Sequence, residues 1–335
     1  LMKQLAHDIL DRELELPFAS ISYDEAIDRY GSDRPDRRFG LEIKDVGQQV
    51  SESGFKVFDS TLDKGGVVRG IKLRGEVGYS RKQVDELTDF VKKYGAKGLV
   101  VIQLKEEGVS SPIAKFLSKQ TMEQLLTAFE AETGDVIFII AADRDVCCRS
   151  LGELRLKLAK THNLIHPDTY DFVWVDNFPL LEWDEDEKRF FAMHHPFTSP
   201  RQEQLELLET DPAAVRARAY DLVLNGTEIG GGSIRNYRKD VQERVFRALG
   251  IERKTAEEKF GFLLTALEYG APPHGGIAFG FDRMISVFSG EESIRDVIAF
   301  PKTTSAYSLM DKSPSGVSEE QLRELGIRLK EKDDK

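Results

Sequence analysis

Apolar residues recur at helical spacing in some stretches of this chain and form short continuous runs in others, and the order of the two patterns divides it into three parts. Residues 1–44 read as a helix from Leu1, a short strand at Phe18–Ile21 and a second helix from Tyr23, whose outer face Asp24, Asp28 and Arg29 keep polar. The loop Tyr30–Gly40 is dense in turn formers and carries Arg34, Arg37 and Arg38; its composition reads as a solvated loop. Residues 45–164 alternate strand and helix. Val67–Leu73 is strand-like, and Ser80 with Gln83 has capping-box spacing ahead of a helix striped by Val84, Leu87, Phe90 and Val91 and ended by Gly95. Leu99–Leu104 is a buried strand run. Met122, Leu125, Leu126 and Phe129 mark a helix closed by Gly134, Val136–Ala141 is the next strand, and Leu151, Leu154 and Leu158 stripe a long final helix.

Residues 165–335 begin with strands at Phe172–Val175, Phe190–His194, Tyr220–Leu224 and Glu228–Arg235. Two helices follow, striped by Val241, Val245, Phe246 and Leu249 and by Phe260, Leu263, Leu264 and Leu267, and stopped by Gly250 and Gly270. The strand Gly276–Phe279 runs into a helix at Asp282–Phe288; Ser318 with Gln321 caps a last helix, and Lys330–Lys335 is a charged, frayed tail. The pattern predicts an α+β fold: an antiparallel sheet flanked by helices, with a self-contained α+β domain inserted at residues 45–164 between a remnant at 1–44 and the rest of the sheet domain at 165–335.

Composition narrows the setting. At 335 residues, with 40% hydrophobic and 31% charged side chains, the chain has the make-up of a globular protein of about two domains. It has no apolar run near the roughly 20 residues of a membrane helix and no signal-peptide core at its start. Its cysteines, Cys147 and Cys148, are adjacent, which suits a reduced cytosolic setting and no staple or metal role. A net charge of −11 counts against nucleic-acid binding by bulk electrostatics, though not against a local basic face.

The chemistry gathers in two glycine-rich stretches, Asn225–Arg235 and Gly275–Arg283. Asn225-Gly226 between apolar runs signals a hairpin that sets Asp221 and Glu228 on adjacent strands, either as a magnesium pair or as solvated acids. Gly230-Gly231-Gly232 gives up strand packing, which the close approach of a planar ligand explains. Strict alternation puts Glu228 and Arg235 on opposite faces, so a shared site requires a bulge between them, expected at one of the glycines. His194-His195-Pro196 reads either as the mouth of an anion site or as a strand-end turn with one buried and one exposed ring. Arg283 opens a helix as a phosphate clamp, with Asp282 a possible cap. His162 and His166 are structural. There is neither a Walker loop nor a dinucleotide fingerprint.

Taken together, Phe172–Glu182, His194–Thr198, Asn225–Arg235, Gly275–Arg283 and Ile294–Thr303 closely resemble the C-terminal part of bacterial aspartyl-tRNA synthetases, which are class II enzymes. The middle stretch resembles the insertion domain those enzymes share with a subunit of the tRNA-dependent amidotransferase. The resemblance implies a class II antiparallel sheet, ATP and Mg2+, and aspartyl transfer to tRNA-Asp; the choice between tRNA-Asp alone and tRNA-Asn as well rests on other parts of such enzymes. It implies aspartate contacts from Arg235, His194 and His195. Magnesium falls to Asp221 and Glu228, and ATP to Glu228, Gly280, Phe281, Asp282 and Arg283, with Glu228 and Arg283 catalytic. It further implies a cytoplasmic homodimer with no membrane contact. The family's anticodon-binding barrel and first two class II motifs are not in this stretch, so the 335 residues alone are expected to be inactive. Two other readings are an ammonia-dependent asparagine synthetase, against which the insertion argues, and a truncated, non-catalytic binding or regulatory paralogue.

Overall fold

In the computed structural model, which describes residues 1–75, 78–166 and 168–330, the chain forms two units, residues 1–280 and 281–335. The strands lie in the first unit: β1 (Ala19–Ser22), β2 (Lys44–Asp45), β3 (Val67–Leu73), β4 (Val100–Lys105), β5 (Gly108–Ser110), β6 (Val136–Ala142), β7 (Phe172–Asp176), β8 (Leu181–Asp184), β9 (Arg189–Ala192), β10 (Ala219–Leu224), β11 (Thr227–Ile234) and β12 (Gly275–Phe279). They make two five-stranded sheets, β1-β7-β10-β11-β12 and β2-β3-β6-β4-β5, and a β8-β9 ribbon.

In the first sheet β7, β10, β11 and β12 pair antiparallel, while β1 lies parallel to β7. A parallel pair needs a crossover, and here the chain between β1 and β7 contains the entire second sheet. Ile21, Val173, Val175, Ala219 and Val223 pack with Phe178, Leu180 and Val245 as one core. In the second sheet β6 is central and apolar on both faces. Val136, Phe138 and Ile140 meet the helices Arg81–Lys92 and Arg144–Thr161, while Ile137 and Ile139 meet Phe58, Leu125 and Phe129. Helices on both faces explain why its sequence is a continuous apolar run and not an alternation.

Both predicted capping boxes form, at Ser80 with Gln83 and at Ser318 with Gln321. Other expectations need correction. The helix Lys119–Ala128 is not closed by Gly134: Glu130, in the left-handed region at φ 50°, ends it, with Ala131 N–H donating back to Leu126 O. The arginine loop is solvated only in part: Arg34 is exposed, but the other two arginines are engaged. Arg37 forks onto Asp171 at 2.6 and 2.8 Å, and Arg38 onto the buried Asp36. Arg155, 1% exposed, reaches in from helix Arg144–Thr161 to donate to the carbonyls of Tyr30, Asp36, Gly40 and Leu41, between the rings of Tyr30 and Phe39. The acids of helix Tyr23–Tyr30 do not simply face water: Asp28 accepts from Arg69 and Arg144, and Asp24 pairs with Arg216 at 2.7 Å.

Both cysteines are buried, and burial pushes the Cys147 thiol up to about 12, which leaves it inert. His162 ends its helix and bonds the Tyr79 hydroxyl at 2.7 Å. In the second unit Phe281–Ser289 and Glu319–Glu324 are helical. The expected frayed tail lies, but for Lys330, outside the described residues. Among the described residues no helix is long and apolar enough to cross a membrane.

Candidate active site

The site grows from the β10-β11 hairpin. Asn225 and Gly226 both have positive φ, 52° and 80°, the geometry that matches a two-residue turn to strand twist. The pairing then slips: Val223 faces Glu228 but Leu222 faces Gly230, so Ile229 is an extra residue on β11. This is the bulge that a shared face requires, although the extra residue is a buried isoleucine and not a glycine. Downstream of it Asp221 faces Gly231, and alternation carries the same face to Arg235, which bridges Thr198 just beyond the strand.

A Cβ on Gly231 would stand 2.4 Å from Asp221 Oδ1 and 3.2 Å from Glu228 Oε1, so the two carboxylates converge over a residue that has no side chain. The other two glycines serve the protein itself. A Cβ on Gly230 would strike the Phe279 ring at 2.6 Å, and one on Gly232 the Gly276 carbonyl oxygen at 1.9 Å. The ligand explanation of the triplet therefore narrows to Gly231. Among the described residues no three His, Cys, Asp or Glu side chains group as a metal set. A pair of carboxylates above open backbone suits a hard cation that takes its other ligands from phosphate and water.

The histidines stand beside these groups. The expected strand Phe190–His194 ends at Ala192, and its partner β8, too short and acidic to read as a strand, was missed. The ribbon delivers His194 and His195 on the following turn, neither of them buried, contrary to the turn reading with one ring inside. His194 packs edge-on against Phe178, with Nε2 3.8 Å from Asp221 Oδ2. His195 Nδ1 accepts from Phe197 N–H at 3.2 Å. Partial burial of the ring, and then the charge of Arg235, hold its pKa below the ordinary 6.5. Both effects favour the uncharged ring.

The first unit thus brings together His194, His195, Asp221, Glu228 and Arg235. Gly280 closes that unit by donating its N–H to Ile229 O. Phe281, Asp282 and Arg283 belong to the second unit and lie on the exposed first turn of helix Phe281–Ser289. Asp282 is inside that turn and does not cap it. Sequence reasoning passed over Gln242 and Asn236. Both are buried, and they link the histidine turn to the end of β11.

Relatives match nearly the whole chain. The aspartate–tRNA(Asp/Asn) ligase of Caldanaerobacter subterraneus subsp. tengcongensis is 51% identical over 329 residues, 98% of this chain and 56% of that protein. The aspartate–tRNA ligase of Halalkalibacterium halodurans is 50% identical over 330 residues, with the same shares. The chain spans about half the length of the curated relatives it matches. A solved aspartyl tRNA synthetase from Entamoeba histolytica is 15% identical, with a TM-score of 0.32 over 72% of this chain and 44% of that one. Residues 1–304 match the model of tRNA synthetases class II (D, K and N), and the chain belongs to that family.

Proposed function

We propose that this chain carries the aspartate- and phosphate-facing floor of an aspartate–tRNA ligase. The carrying observation is the bulge at Ile229, which sets Asp221, Glu228 and Arg235 on one face beside His194 and His195. Arg235 presents a planar, two-pronged donor to the side-chain carboxylate of L-aspartate, and His194 and His195 border the same ligand. The α-carboxylate oxygen attacks the α-phosphorus of ATP. The bond to pyrophosphate breaks, and aspartyl-adenylate forms. A hydroxyl at the 3′ end of tRNA-Asp then attacks the acyl carbon and AMP leaves. Alignment of the reactants and neutralisation of developing charge supply the rate. Asp221 and Glu228 would hold Mg2+, which when bound offsets the charge of the phosphates. Gly280, Phe281, Asp282 and Arg283 bind ATP in this reading, Arg283 as the phosphate clamp.

We assign residues 45–164 as the inserted domain, 1–44 and 165–335 as parts of the catalytic domain, and the working enzyme as a cytoplasmic homodimer that charges tRNA-Asp. The relatives' names support aspartate as the substrate; the name that includes tRNA-Asn supports charging of both tRNAs.

Calorimetric titration with L-aspartate tests the reading. Arg235→Gln should weaken binding about 10- to 100-fold, the scale of a lost charge-assisted hydrogen bond. Binding of L-aspartate at wild-type strength by this variant would overturn the assignment.

A further inference from the structure

We propose that Gln242 is a positioning residue for the histidine pair, holding the turn that carries His194 and His195 through the carbonyl of Pro196. Gln242 lies in helix Lys239–Ala248 and is 0% exposed, among the stripe of Val241, Val245, Phe246 and Leu249, where helical spacing favours an apolar residue. A primary amide is costly to bury unless its donor and acceptor are used. Here both are: Nε2 donates to Pro196 O at 2.8 Å, and Oε1 accepts from Asn236 Nδ2 at 2.9 Å.

Asn236, 4% exposed, follows Arg235 directly, and its backbone N–H donates to Phe197 O at 2.9 Å. The end of β11, the helix and the histidine turn are therefore joined by one line of hydrogen bonds, buried at Asn236 and part-buried at Pro196, running through Gln242. A methionine would fill the same space without desolvation cost. What the amide adds is a side-chain tie at Pro196, next to His195, beyond the backbone contacts that already join Phe197, Thr198 and Ser199 to the end of β11. The consequence for ligand binding rests on the reading of His194, His195 and Arg235 as aspartate contacts; the positional claim does not.

The test uses the 335-residue chain, with NMR of the His195 Cε1–H resonance followed against pH and against L-aspartate. Arg235 is the charge that acts on that ring, and His194 is its titratable neighbour in the chain. In the wild type partial burial, and then the charge of Arg235, lower the His195 pKa from its ordinary value. Gln242→Met removes the bond to Pro196 O and loosens the turn there, so the His195 titration should move up and L-aspartate should bind about tenfold more weakly. A folded Gln242→Met protein with both values unchanged would overturn the proposal. If that variant does not fold, Asn236→Ala decides. It removes the Gln242 partner without adding a charge and lets the amide turn from Pro196, so the same two changes support the proposal and wild-type behaviour refutes it. If the wild type gives no response to L-aspartate, the reading of His194, His195 and Arg235 as a sufficient aspartate site in this chain fails, while the pH titrations of the variants still judge Gln242.

Discussion

Gly231 shows how much of the site turns on a single missing side chain. The triplet Gly230–Gly232 could be seen in the sequence as a place of close approach, but not which neighbour each glycine approaches. Two serve β12 and only Gly231 lies under the carboxylates. That distinction depends on the register with β10 and β12, which alternation alone does not carry. Gly231→Ala would push its methyl into Asp221, and crowding of this kind costs about 1–3 kcal/mol. The expected result is a lowered thermal midpoint and Mg2+ affinity reduced tenfold or more, measured by unfolding scans and cation titration. The need for a bulge between Glu228 and Arg235 was legible from their odd spacing. Its location at Ile229 was not, since a buried isoleucine looks like any other strand residue.

At the scale of elements, the long periodic helices and the apolar strands were legible, because burial on one face or on both writes itself into spacing. The short pieces were not. β8 holds four residues, and its partner β9 stops at Ala192, two residues short of the histidine its apolar run points to. The hairpin that matters most was the clearest signal, and its Asn225 does more than turn the chain. Its side chain accepts from Asp171 N–H at 2.9 Å and donates to Thr169 O at 2.8 Å, which locks the entry to β7. Asn225→Ala loses both bonds and puts a less tolerant residue at positive φ. A destabilisation of about 2 kcal/mol is expected, read from the urea midpoint.

Across the first unit, long-range polar ties were the least visible part of the sequence, because they join residues more than a hundred positions apart. The loop Tyr30–Gly40 looked solvated by composition, yet Arg155 draws its carbonyls together from a helix on the second sheet. Arg155→Leu would leave these carbonyls without their donor, and about 3 kcal/mol of stability should be lost, measured by chemical denaturation. Wild-type stability in that variant would mean the loop holds its own shape. The same tie limits modularity. Residues 45–164 look like a unit that could be excised and its ends joined, but excision also removes the guanidinium around which the neighbouring loop is folded. A shortened chain would keep the strands of the first sheet and lose the clasp at its border, so a deletion protein that misbehaves would report a missing cation before it reported a missing domain.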